Sequence, residues 1–193
     1  MSQSSGNFAS RFHRVPKGGK LRDDPASRGT GPRRDVTGNL TRWIATECGV
    51  GYMPIAPATW GSLVVVIVCW FAVRAPRFEW PILVAAVIAS VVGVWAADDA
   101  EKQLGHDAHA IVVDEIAGML ISLLWLPHTL QAVGLAFLFF RIFDIAKPEP
   151  ANRAQLLGGG MGVMADDIVA GVYACLASHL TLWGIAQMHH ARA

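Results

Sequence analysis

The 193-residue chain is poor in charge: Asp, Glu, Lys and Arg make up 16% of it, against roughly 25% in an average soluble domain. Cysteine is scarce too. Cys48, Cys69 and Cys175 are odd in number and widely spaced, which gives neither a disulfide framework nor a zinc-ligand spacing. There is no G-x-x-x-x-G-K-[ST] loop, so a P-loop nucleotide hydrolase is not indicated, and no G-x-S-x-G elbow supports a serine hydrolase. The seven histidines contain no H-E-x-x-H pair of the metalloprotease kind. The first 40 residues lack an apolar core of the length a signal peptide needs, so membrane insertion is expected to use internal segments. No heptad or internal repeat is evident.

What is abundant is apolar side chain. Hydrophobic residues reach 53% and the mean hydropathy is +0.38, which points to an integral membrane protein. The small net charge hides an asymmetry. Residues 1–40 carry eight Lys/Arg against Asp23, Asp24 and Asp35, a net of +5, while the remainder carries eight bases against twelve acids, a net of −4. Residues 1–38, rich in Ser, Gly, Pro and Arg, read as a disordered basic tail, and residues 39–190 as a helical membrane domain. No nucleic-acid partner is expected.

A short helix is expected over Asn39 to Thr46. GVGYMPIAPATWGSL follows and reads as a loop, because its glycines and prolines oppose regular structure. Four apolar stretches come next: Ser62–Val73, Trp80–Ala97, Ile116–Phe140 and Ile168–Met188. The third is interrupted by Pro127–His128, and proline kinks or ends a helix. It is either one kinked span or two short helices joined by a turn. The expected fold is all-α, a polytopic helical membrane protein with about 4–5 membrane-embedded helices. Five crossings, at about 57–73, 80–97, 115–126, 130–143 and 168–187, bring the polar segments 98–114 and 144–167 to the same side as the basic tail. Thirteen Lys/Arg then lie inside, against Arg74, Arg77 and Arg192 outside, as the positive-inside rule requires. A single span over 116–140 would instead place the two acidic segments in opposite compartments, where they could not form one site. Two helices are therefore favoured.

Three clusters carry the chemistry. The first is Asp98, Asp99, Glu101, Asp107, Asp114 and Glu115. One carboxylate at the start of an apolar helix suits the helix dipole, but that does not account for the adjacent pair Asp114–Glu115. Asp98, Asp99 and Glu101, beside Lys102, read as an ordinary solvated helix end. His106 and His109 flank Asp107 and are either solvated or available as a proton shuttle or metal ligand. The second cluster is Arg141, Asp144 and Lys147, spaced along one helical face and followed by the helix-ending Pro148. It is either a salt-bridge ladder or a metal-binding carboxylate with cations for phosphate oxygens. The third is the glycine run Gly158–Gly160 with Gly162, followed by Asp166–Asp167. Glycine lets a backbone approach a ligand closely, and helix N-termini bind anions. Two carboxylates there would repel a bare phosphate unless a hard divalent cation such as Mg²⁺ lay between. The plainer alternative is an N-cap aspartate after a flexible loop.

In order, GYMPIAPATWGSL, HDAHAIVVDEIAGM, FRIFDIAKPEP and GGGMGVMADDIVAG resemble the phosphatidylglycerophosphatase A family, over about Gly49 to Gly171. The resemblance implies a Mg²⁺-dependent lipid phosphatase, multi-pass in the bacterial inner membrane with its active site facing the cytoplasm. Its reaction would be hydrolysis of phosphatidylglycerophosphate to phosphatidylglycerol and inorganic phosphate in phospholipid biosynthesis. The matched positions are Pro57, Thr59, Gly61 and Ser62; Asp107, Asp114 and Glu115; Arg141, Asp144, Lys147 and Pro148; and Gly159, Gly160, Gly162, Asp166 and Asp167. Asp114, Glu115, Asp144, Asp166 and Asp167 are expected to hold one or two Mg²⁺. Asp107 is expected to take the proton of the attacking water, acting with Asp114, Glu115, Asp144 and Asp167 as the catalytic set. Arg141, Lys147, Gly159, Gly160, Thr59 and Ser62 are expected at the phosphate. The chain departs from the family pattern at Ala58, where glycine is typical, and at Glu149, where a bulky apolar or aromatic residue is common. Two alternatives are a CDP-alcohol-type phosphatidyltransferase, whose D-x-x-D-G-x-x-A-R pattern is absent, and a non-catalytic ion-binding membrane protein.

Overall fold

A computed structural model describes residues 36–73, 76–77, 79–104, 110–154 and 156–191. All regular structure among them is helical: α1 (Val36–Ala45), a 3-10 turn (Glu47–Tyr52), α2 (Pro57–Ala72), α3 (Trp80–Leu104), α4 (Val113–Ser122), α5 (Leu130–Ala146), the single turn α6 (Ala151–Ala154) and α7 (Gly160–His190). The stretch 116–140 is thus two helices. Its reversal lies at residues 123–129, where Thr129 accepts a hydrogen bond from the Ala132 N–H at 3.3 Å and so caps α5. The presumed loop before Ser62 is shorter than expected. Pro57 starts α2, because its fixed φ suits the first helical position and its missing N–H costs nothing there. Helix α3 runs past Ala97 through the acidic Asp98–Lys102 segment.

The helices alternate in direction. His128 N–H donates to the Pro76 carbonyl at 2.9 Å and Arg77 pairs with Pro127, so the α2–α3 and α4–α5 connections share one end of the bundle. The start of α2, the end of α3, the start of α4, the end of α5 and the start of α7 gather at the other. That is the end to which the sequence assigns its charges.

Helix α4 is the hub, packed against α2, α3, α5 and α7. Its ten residues rise only about 15 Å, and most are buried, including Glu115, Ala117, Gly118, Met119, Leu120 and Ser122. Helix α7 can approach it closely because its buried face is made of small residues, Ala170, Gly171, Ala174 and Ser178, the pattern that lets membrane helices touch at the backbone. One apolar cluster around Met119, Leu123, Leu126 and Phe140 fills the turn end. A second, built on Ala45, Ala96, Ala97, Val113 and Met164, underlies the charged end.

The outer faces are apolar. Phe71 on α2, Val91 on α3, and Leu180 and Trp183 on α7 are all about two-thirds exposed. So large an unpartnered apolar surface is abnormal for a water-soluble monomer. Trp80–Leu104 and Gly160–His190 are long and apolar enough to cross a membrane, and Pro57–Ala72 is a shorter apolar helix.

Candidate active site

The charged end is built around Arg141 of α5. Its Nη1 donates to both oxygens of Glu115, at 2.8 and 2.7 Å, and its Nη2 lies 3.1 Å from Asp144 Oδ2. Ser62, one turn into α2, donates to Glu115 Oε2 at 2.6 Å, and Arg141 Nη1 reaches the same hydroxyl at 3.4 Å. Four side chains from three helices are thereby locked together, and Arg141 is largely buried. Such a network holds only if its charges are paired.

Glu115 and Asp144 form a carboxylate triad with Asp167 of α7. Each offers an oxygen, and the three oxygens lie within 4.8 Å of one another. Beside them is a cavity of about 310 Å³, walled by Glu101, Asp114, Asp144, Asp166, Asp167 and Lys147, with Gly158, Gly159 and Gly162 also lining it. Five carboxylates face one amine. Asp166 accepts a hydrogen bond from Lys147, while Asp166 Oδ1 and Asp167 Oδ2 are buried with no hydrogen-bond partner among the described residues. Buried carboxylate oxygens left in this state are costly unless a cation meets them. An all-oxygen donor set is the kind hard divalent ions prefer, so these residues fit such an ion.

Local chain geometry places the amine. Lys147 caps α5 with φ 42°, so it leaves the helix rather than continuing the Arg141–Asp144 face, and it turns to Asp166 instead. Burial alone would pull the Lys147 ammonium down. The hydrogen bond and charge of Asp166, with Asp167 and Asp144, outweigh that and hold it above its ordinary value. Lys147 therefore stays charged at neutral pH.

Not every expected residue lies in this cavity. Asp107, with His106 and His109, lies outside the described residues. Asp114 and Asp166 are in the wall but outside the triad. Arg141 is committed to Glu115 and Asp144, and Ser62 to Glu115. Thr59 is half-buried in the first turn of α2 and does not line the cavity. Gly159 does, whereas Gly160 is pressed against α3, where a Cβ would run into the Val94 carbonyl. The carboxylate of Glu149 pairs with Arg153 at 3.3 Å on the surface.

The segment read as a solvated helix end is solvated at the exposed Asp98–Lys102 pair but not throughout. Asp98 pairs with Lys102 at 2.7 Å and accepts from the Gly160 N–H. Asp99 accepts from Thr41 of α1 and from Gln103. Glu101 enters the cavity wall. Continuing the helical period of α3 beyond Ala97 would have put Glu101 one turn from Asp98 and shown it as a candidate. Glu47, in the 3-10 turn, is a second acid near the site that the motifs did not flag. Burial, with the charge of Glu115, pushes it up to about 8.

Residues 43–182 match the protein family described as phosphatidylglycerophosphatase A. Among curated relatives, a Bacteroides thetaiotaomicron protein named provisionally as a phosphatidylinositol-3-phosphatase is 36% identical over 148 residues, covering 74% of this chain and 93% of the relative. The phosphatidylglycerophosphatase A of Escherichia coli is 38% identical over 133 residues, 67% of this chain and 76% of its own. That of Haemophilus influenzae is 32% identical over 146 residues, 72% and 86% respectively. No solved structure gives a significant match.

Proposed function

Because the chain belongs to the phosphatidylglycerophosphatase A family, we propose that it hydrolyses phosphatidylglycerophosphate to phosphatidylglycerol and inorganic phosphate in bacterial phospholipid biosynthesis. It acts as a multi-pass protein of the inner membrane, with the acidic cavity at the cytoplasmic face. The observation that carries this reading is the meeting of Glu115, Asp144 and Asp167 beside a cavity that also holds a charged lysine. Metal-assisted hydrolysis of a lipid phosphomonoester uses both parts: oxygen ligands for a divalent cation and a cation of the chain for the phosphoryl oxygens.

Glu115, Asp144 and Asp167 would hold Mg²⁺, with Asp114 and Asp166 beside them in the cavity wall. A divalent ion held there would neutralise phosphate charge and lower the pKa of an attacking water. Lys147 faces the same space and stabilises charge on the transferring group. The Gly158–Gly159 backbone leaves room for phosphate oxygens to come close. Arg141 and Ser62 fix the rotamer of Glu115 and, through Arg141, that of Asp144. Their role is to keep two ligands in place, the kind of outer support that ligating carboxylates require. Asp107 is the proposed acceptor of the water's proton. The membrane placement draws support from the long apolar α3 and α7, from the alternating helices, and from the gathering of Lys102, Arg141, Lys147 and Arg153 towards the cavity end.

The test is an assay of the purified full-length chain in detergent, with phosphatidylglycerophosphate and Mg²⁺ and phosphate release as the readout. Release should stop with EDTA and return with added Mg²⁺. Undiminished release in EDTA would overturn the metal assignment. The Bacteroides relative makes phosphatidylinositol 3-phosphate the second substrate to run. Hydrolysis of that lipid alone would move the specificity while leaving the chemistry in place.

A further inference from the structure

A second cavity, of about 570 Å³, lies between α2, α3 and α4. Its size is that of a small-molecule site, but its wall is apolar except for Glu47. We propose that this cleft receives one acyl chain of the diacyl lipid whose phosphate enters the acidic cavity, an assignment that rests on the function proposed above.

Three observations identify the occupant. The first is continuity. Helix α4 gives Glu115 to the carboxylate triad, and its next residue, Ile116, lines the cleft together with Leu120. At the polar end, Gly61 separates Glu47 from Glu115: a Cβ on Gly61 would sit 2.7 Å from Glu47 Oε2 and 3.6 Å from Glu115 Cβ. The head of the cleft is therefore one side chain away from the triad. Any larger residue at position 61 would run into Glu47, between the head of the cleft and the triad.

The second is length. The cleft follows α2 from Val64 to Val73, a rise of about 14 Å. That is close to half of the ~30 Å hydrocarbon core, or one leaflet, the depth to which the tails of a lipid extend when its phosphate is at the interface. The third is access. Val68 lines the cleft and is 57% exposed, so the groove opens along the apolar flank of α2 and a chain can enter sideways from the bilayer. Glu47 Oε2, buried and without a hydrogen-bond partner among the described residues, marks the point where the apolar wall gives way to the headgroup region.

The test compares two lengths of the same substrate on full-length protein. Ala85→Trp narrows the cleft from α3, and Val68→Trp narrows it from its open side, where an added ring has room and folding is least at risk. Neither residue belongs to the catalytic set. Each variant is assayed with long-chain and with dihexanoyl phosphatidylglycerophosphate, with kcat and KM separated. For the long-chain substrate KM should rise about tenfold or more, the equivalent of only two lost buried methylene groups, while short-chain kinetics stay as in wild type. Equal losses on both substrates, or no change on either, would overturn the acyl-chain site. So would an unchanged long-chain KM accompanied by a change in oligomeric mass, which would make the cleft a surface between copies of the chain. A wild-type protein inactive on both substrates would instead reject the proposed reaction itself, so the two failures are distinguishable.

Discussion

The acidic cavity and the apolar cleft are both walled by α3 and α4 and have little else in common. On one side α4 shows Asp114 to the acidic cavity and gives Glu115 to the triad beside it, where polar side chains have directional partners: Glu115 with Arg141 and Ser62, Asp144 with Arg141, and Asp166 with Lys147. On the other it shows Ile116 and Leu120 to a cleft nearly twice as large, shaped by packing alone. The first depends on charges that cannot be left unpaired. The second depends on volume, and apolar cores tolerate swaps that conserve it. Single substitutions should therefore have sharply unequal effects on the two sides.

The largest contrast is expected at Asp167. Its Oδ2 is buried and lacks a hydrogen-bond partner among the described residues, so Asp167→Asn removes a ligand and a charge without breaking an ion pair. Activity should fall on the order of 100-fold or more, the scale of losing one preorganised charge-stabilising group, while the thermal melt stays at or above that of wild type. The volume-conserving Leu120→Met across the helix should leave activity within about twofold and the melt close to that of wild type, since such swaps cost little. Full activity in Asp167→Asn, by phosphate release, would remove this residue from the metal site.

Arg141 comes next and should fail in the opposite way. Arg141→Met strips Glu115 and Asp144 of their shared cation inside the bundle, so folding itself should suffer, by about 3–5 kcal/mol. Adding Glu115→Gln should restore part of that stability but none of the activity. Unfolding in detergent, followed by helical signal, checks both. A single variant as stable as wild type would mean that the network contributes specificity of structure rather than stability.

The sequence was legible where it was costly. Asp114, Glu115, Arg141, Asp144, Asp166 and Asp167 stand out because charge beside long apolar runs is rare and needs a partner. Proline at 127 allowed either a kink or a reversal, and the need to bring both acidic segments to one side of the membrane favoured the reversal. Two kinds of information were hidden. Glu101 and Asp99 were read with a solvated helix end because the apolar run ends at Ala97, although the helix does not, and the contact of Asp99 with α1 and of Glu101 with the cavity cannot be inferred from composition alone. The cleft could not be seen at all. Val64, Val68, Ala85 and Leu120 are typical residues of any membrane helix, and only the crossing of α2, α3 and α4 leaves a gap between them. The division of labour between Arg141 and Lys147 was equally out of reach, since it depends on Lys147 leaving the helix at φ 42°.

Glu47 tests where the boundary between the two regions falls, with the smallest expected effect. It lines the apolar cleft yet sits beside Glu115, and burial with that charge raises it from an ordinary 4.5 to about 8. The sign follows from proton counting. Between about pH 4.5 and 8 the folded chain keeps a proton that the unfolded chain releases, so this group's contribution to stability is full below about 4.5 and is lost as pH rises towards 8. Glu47→Gln stays neutral throughout and should not share the loss. In thermal melts the variant should gain on wild type between pH 5 and pH 8 and hold a constant lead above that, a modest one because the side chain is only partly buried. Parallel melting curves across that range would place Glu47 with the solvated surface and move the head of the cleft away from the acidic cavity.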